Sequence, residues 1–157
     1  VKTDDGILTW ELVRAAIRPQ GRYMAQTCMV SIENTHNVAG GVVTPTKNVE
    51  EICDEARAAG RDPASIVLGS TAFICHFTDT PEAALQTAGA IGSFFGLAGE
   101  QVLRMPLALI GTPAQCAAEL RRREREWGVT HYTIGGFGGP DYVERFAKEV
   151  LPEVGAG

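Results

Sequence analysis

Basic charge is scarce in this sequence. Its 14 Lys and Arg stand against 19 Asp and Glu, for a formal net charge of -5. Nucleic acid and anionic membrane surfaces need a cationic footprint that this balance does not supply, so neither is expected as a partner. The one dense basic run, RRREREW at 121–127, is broken by Glu124 and Glu126 and is expected to be a solvated helix face. Long apolar runs are missing too. AALQTAGAIGSFFGLAG at 83–99 is too short and too polar to span a bilayer, and its Gly92 and Gly96 suggest a helix face that packs closely. The four cysteines, Cys28, Cys53, Cys75 and Cys116, form no CxxC pair and have no His at ligand spacing. They are expected to be small core residues of a reducing compartment, with neither a disulfide nor zinc. VKTDDGILTW lacks the basic start and apolar core of a secretory leader, so the expected location is cytoplasmic. No Ser-His-Asp set, metal-ligand cluster or Walker loop is found, and GGFGG at 135–139 lacks the spacing of a dinucleotide fingerprint.

What is present is an ordinary globular composition, 45% hydrophobic and 21% charged, in 157 residues. That length is enough to bury a real core. Helix signals recur with clear punctuation. Thr9 precedes WELVRAAI and Pro19 follows it, predicting a helix over 10–18. Asn48 with Glu51 predicts a second helix start, with Ile52, Ala56 and Ala59 on one face and Gly60 as its stop. Thr80-Pro81 and Thr112-Pro113 each place a hydroxyl at the cap and a proline at the first helical position, and Gln115 completes a capping box at Thr112. Asp141 with Glu144 predicts a last helix closed by Pro152. Between these lie β-branched apolar runs expected to be strands: 28–32, 41–44, 66–75 and 129–134. Strands alternating with helices imply an α/β fold of βα units with a largely parallel sheet.

The first block, ILTWELVRAAIRP and then MAQTCMVSIENTHNVAGGVVTP, carries the distinctive run E-N-T-H-N followed by A-G-G. Over about residues 5–45 it resembles the central part of low-specificity threonine aldolases, enzymes that use pyridoxal phosphate. The resemblance implies that cofactor and makes His36 the candidate catalytic residue, near the substrate hydroxyl. Taken by itself, His36 reads better as a loop histidine bonded to neighbouring backbone than as a catalytic group. A pyridoxal enzyme needs a lysine for its Schiff base. The sequence has Lys2, Lys47 and Lys148, none in the Ser-Lys-Gly type of setting that the family uses.

From about residue 49 the text changes. VEEICDEARAAGRDPASIVL, FTDTPEAAL and LIGTPAQCAAELRRREREWGVTHYTIGGFGGPDYVERFAKEVLP are similar to the C-terminal part of luciferase-like flavin- or F420-dependent oxidoreductases, which are (β/α)8 barrels. The resemblance implies a partial barrel in this part of the chain, F420 or FMN as cofactor and a small-molecule substrate. Two segments are therefore expected: 1–45, of aldolase type, and 46–157, of luciferase type, joined near TPTKN.

In such barrels, phosphate is often held where glycine loops and helix N-termini gather at the carboxyl ends of the last strands. Gly135, Gly136, Gly138, Gly139 and Thr112 are the candidate cofactor-binding residues. The other reading of the glycine run is a βα loop whose glycines only permit a turn, with Asp141 repelling an anion. His76, expected just past a strand, and His131, within one, are further candidates with equally good structural readings.

The function expected is that of a partial luciferase-like oxidoreductase, inactive as an isolated chain. The alternatives are a fragment of a pyridoxal-dependent aldolase, or a fused or truncated chain with no chemistry of its own. Unpaired sheet edges invite another chain, so a homo-oligomer that covers them is the expected assembly.

Overall fold

The computed structural model describes residues 1–19, 21–33, 36–59, 62, 65, 67–135 and 139–155. The chain divides into two compact units, Val1–Ile66 and Val67–Gly157.

In the first unit, helix α1 (Trp10–Ala16) starts where Thr9 accepts a hydrogen bond from the Leu12 amide, as the sequence predicts, and buries Val13. Helix α2 (Thr46–Ala58) buries Asn48 and Ile52. Its start differs from the prediction. Pro45 holds the cap position, and Asn48 lies inside the first turn, where its Nδ2 donates to the Leu8 carbonyl at 3.1 Å. A tertiary bond has taken the amide that local reasoning assigned to a cap. The predicted stop at Gly60 lies outside the described residues.

The predicted strands at 28–32 and 41–44 do not form. Residues 28–32 have no ladder partner, and Met29 is 78% exposed. The extended pairing described in this unit is a single antiparallel bridge between His36 and Val42, closed over a short 3-10 turn at Asn37–Ala39. A β-branched run becomes a strand only when another strand meets it. Val13 and Ile52 are the buried hydrophobic residues described in this unit, a thin core for its length.

The second unit is built from parallel strand pairs and helices. The run predicted as one strand over 66–75 becomes two, β1 (Leu68–Ala72) and β2 (Ile74–Phe77), which break at Phe73. β1 pairs in parallel with β4 (Val129–Ile134), from Leu68 opposite Val129 to Ala72 opposite Ile134. β2 pairs in parallel with β3 (Ala108–Gly111), from Ile74 opposite Ala108 to Phe77 opposite Gly111. β3, buried along its whole length, was not among the predicted strands. Its few residues are apolar without alternation, the pattern of a strand covered on both faces.

Helix α3 (Pro81–Ser93) begins at the predicted Thr80 cap. The short α4 (Gly99–Leu103) folds back on it. Small residues let the two approach: a Cβ added at Gly92 would lie 2.4 Å from the Leu97 carbonyl oxygen and 3.1 Å from Val102. The close packing expected of this glycine-bearing face is thus carried by Gly92, while Gly96 turns the chain between the two helices. Helix α5 (Pro113–Trp127) starts with the predicted capping box, Thr112 Oγ1 accepting from the Gln115 amide and Gln115 Oε1 accepting from the Thr112 amide.

The last helical stretch runs from α6 (Gly139–Arg145) through a π turn (Phe146–Val150) to α7 (Leu151–Val154). Pro152 sits inside α7 rather than ending the helix before it. Phe77, Leu109, Cys116, Leu120, Tyr142, Phe146 and Val150 form the main core, and Ala84, Ala88, Val102, Ala108 and Ile110 a second cluster. Among the described residues no helix is long and apolar enough to cross a membrane.

Candidate functional site

His36 is held by its own backbone. Its amide donates to the Val42 carbonyl at 2.8 Å and its carbonyl accepts from the Gly41 amide at 3.0 Å, so the imidazole projects from a tight, closed turn. Nε2 lies 3.7 Å from Glu33 Oε2. Nδ1 is buried and has no hydrogen-bond partner among the described residues. The ring packs against the chain at Gly6, where an added Cβ would come within 2.8 Å of Nδ1 and 2.3 Å of the Ala39 Cβ.

Beside His36 opens a cleft of about 420 Å³, whose walls include Val13, Met29, Ser31, Glu33 and Thr44. Its one carboxylate is Glu33, and neither a lysine nor an arginine lines it. Lys47 is exposed on α2, and Lys148 is engaged by Glu144 on the last helical stretch of the second unit.

The candidate phosphate groups lie in the second unit. Thr112 is committed at both ends of its capping box with Gln115. Gly135 follows β4 and gives its amide to the Ala72 carbonyl at 3.0 Å. Gly136 and Gly138 lie outside the described residues, and Gly139 opens α6. Thr112 and Gly135 thus follow β3, a strand the sequence did not predict, and β4, which it did, and the amides of both are bonded within the chain.

His76 sits inside β2 rather than after it, exposed between buried Cys75 and Phe77, and His131 is exposed on β4 with Nδ1 3.4 Å from Thr130 Oγ1. His76 and His131 therefore share a unit with the glycine run, and His36 belongs to the other.

The residue that the sequence misplaced is Arg123. The expected solvated face of α5 holds Arg121, at the surface, whereas Arg123 is fully buried. Its Nε donates to Glu119 at 2.7 Å, and its two terminal nitrogens donate to the carbonyls of Pro106, Met105 and Ala108. A planar fork of donors suits such a set of fixed acceptors. Burial would raise the Glu119 carboxyl, but hydrogen bonds from Arg122 and Arg123 outweigh it and hold the group below its ordinary range.

Nearby, burial pushes the Cys116 thiol up to about 12 and also raises Cys75 and the Tyr142 phenol. Tyr142 stacks on Phe77 at 4.4 Å, and its hydroxyl is buried without a hydrogen-bond partner among the described residues. These are inert core groups, since a thiol protonated at neutral pH is a poor nucleophile. The cysteines are not uniformly core residues: Cys75 and Cys116 are buried, Cys53 is partly covered and Cys28 is exposed.

The comparisons with known proteins divide along the same chain. The beta-eliminating lyase family matches residues 1–64, in line with the threonine-aldolase resemblance of the first block, and its match extends through α2. The crystal structure of a long-chain alkane monooxygenase (LadA) is similar at a TM-score of 0.47 and 19% sequence identity, over 69% of this chain and 33% of that one. The chain therefore spans about a third of the length of that monooxygenase. No curated protein matches the sequence. The chain is an α/β protein with parallel strand pairs. It resembles the beta-eliminating lyase family over residues 1–64.

Proposed function

We propose that this chain joins two incomplete enzyme pieces: a lyase-type piece, and the C-terminal βα units of a luciferase-like flavin- or F420-dependent oxidoreductase. The join lies within 46–66, between the sequence break at TPTKN and the boundary of the two compact units. Gly135, Gly136, Gly138, Gly139 and Thr112 mark, in sequence, the place of a phosphate site for FMN or F420, a site that these residues do not complete by themselves. The chain is silent by itself.

One observation carries the reading. The amides of Thr112 and Gly135, the candidate groups described after β3 and β4, are bonded internally, to Gln115 and to Ala72. An amide already bonded in a cap or a ladder has no donor left for an anion. A complete site would need strands and loops beyond those in this sequence. When bound, a flavin or deazaflavin supplies hydride transfer, and the protein's part is to orient it and to exclude water.

The pair β1–β4 is a two-stranded parallel ladder, and such ladders are marginal without covering elements. A second copy of the chain is the proposed cover, and size-exclusion chromatography with light scattering tests it: a monomer at micromolar concentration rejects this part.

Fluorescence titration of the purified protein with FMN and with F420 tests the remainder. The expected result is no stoichiometric uptake by the isolated chain. One equivalent bound with oxidoreductase turnover would reject the silent-piece reading. If weak binding is seen, Gly138→Glu is expected to abolish it, and unchanged affinity would remove the glycine run from the site.

A further inference from the structure

A pyridoxal phosphate site makes three demands on a protein: an amine for the Schiff base, cationic or backbone donors for a phosphate dianion, and an acid for the pyridinium nitrogen. Among the described residues that line the cleft beside His36, the last demand has a candidate in Glu33 and the first has none. Among the described residues no lysine or arginine lines the cleft, and the one carboxylate, Glu33, stands 3.7 Å from His36 Nε2. A phosphate placed there would face Glu33 with no lysine or arginine among the described lining residues, and desolvating an anion without a partner is strongly unfavourable. His36 itself is turned to another task. Its backbone closes the 36–42 turn in both directions, and its ring lies against Gly6, so that the side chain pins that turn to the start of the unit.

We infer that residues 1–66 keep the histidine loop of a pyridoxal enzyme without keeping a pyridoxal site, and that His36 is a positioning residue for the chain fold around Gly6. This goes beyond the proposed oxidoreductase reading and does not depend on it.

Reductive trapping decides the matter. The full-length protein is incubated with pyridoxal phosphate and borohydride, and adducts are counted by intact mass and located by peptide mapping. A lysine outside a cofactor pocket, with nothing to hold the aldehyde beside it, forms an imine only weakly. The expected result is label spread over Lys2, Lys47 and Lys148, below one equivalent at each, with no induced circular dichroism in the cofactor band. One equivalent fixed on a single lysine, lost in the arginine variant of that lysine, would overturn the inference. So would one equivalent of pyridoxal phosphate held without trapping, seen by calorimetry or by induced dichroism.

The positioning role has its own readout. His36→Asn is expected to raise amide hydrogen exchange at Gly41 and at residue 36 itself while leaving pyridoxal phosphate uptake unchanged. Unaltered exchange in a folded variant would overturn that role.

Discussion

Arg123 gives the sharpest test of how the second unit is held together. Replacing it by methionine keeps an apolar stem of similar reach and removes the guanidinium. The carbonyls of Met105, Pro106 and Ala108 then lose a shared donor, and Glu119 keeps only Arg122. Removing one partner of a buried ion pair costs about 3–5 kcal/mol, because the groups left behind are buried and unsatisfied. A domain's whole stability is about 5–15 kcal/mol, so the variant should lie near the edge of folding.

Urea unfolding measures it. In a Trp10→Phe background the remaining tryptophan is Trp127, which has Arg122 at 4.6 Å and Arg123 at 5.6 Å over its ring, so fluorescence reports this unit alone. With a slope of about 2 kcal/mol per molar urea, the midpoint should fall by about 2 M. Arg123→Lys should recover only part of the loss, since an ammonium is a point donor and cannot serve a carboxylate and three carbonyls at once. A fall of less than about 0.5 M in Arg123→Met, with the slope unchanged, would refute the buried network.

Three further outcomes are expected. Gly92→Ala should destabilise the second unit by about 1–3 kcal/mol, because its Cβ meets the Leu97 carbonyl, whereas Gly89→Ala, with nothing within 4 Å, should stabilise α3 by roughly the helix-propensity difference; thermal melts of the two variants should move in opposite directions. The Glu119 carboxyl is held below its ordinary value of 4.5 in the folded chain, so its contribution is present above that pH and is lost as pH falls through the lowered value; urea midpoints should drop as the pH is taken below 4.5, and Glu119→Gln should flatten the drop. With a thiol reagent near neutral pH, Cys28 should react first and Cys53 more slowly, while Cys75 and Cys116 wait for denaturant; rapid labelling of Cys116 in the folded protein would contradict its burial.

The candidate sites were legible in the sequence to different degrees. His36 stands out because E-N-T-H-N is a rare run, but whether it has catalytic partners depends on what the fold brings beside it, and the cleft offers Glu33 without a lysine. Thr112 was correctly placed as a cap, and the same local bonds that made it recognisable close it to an outside ligand. Arg123 was missed although the signal was present: it falls seven residues after Cys116 and three after Leu120, on the stripe that α5 buries. A charged residue on such a stripe asks for buried acceptors, and a basic-looking segment hid that question.

The sequence alone determined what is closed by bonds between near neighbours. The starts of α1, α3 and α5 follow from Thr9, Thr80 and Thr112, whose hydroxyls reach amides three residues on, whatever the rest of the chain does. Tertiary structure decided whatever needs a distant partner. It gave β1 a ladder with β4, left 28–32 without one, drew Asn48 out of a cap toward Leu8 and buried Arg123 against three carbonyls. A backbone group must find a partner somewhere, and only the folded chain says where.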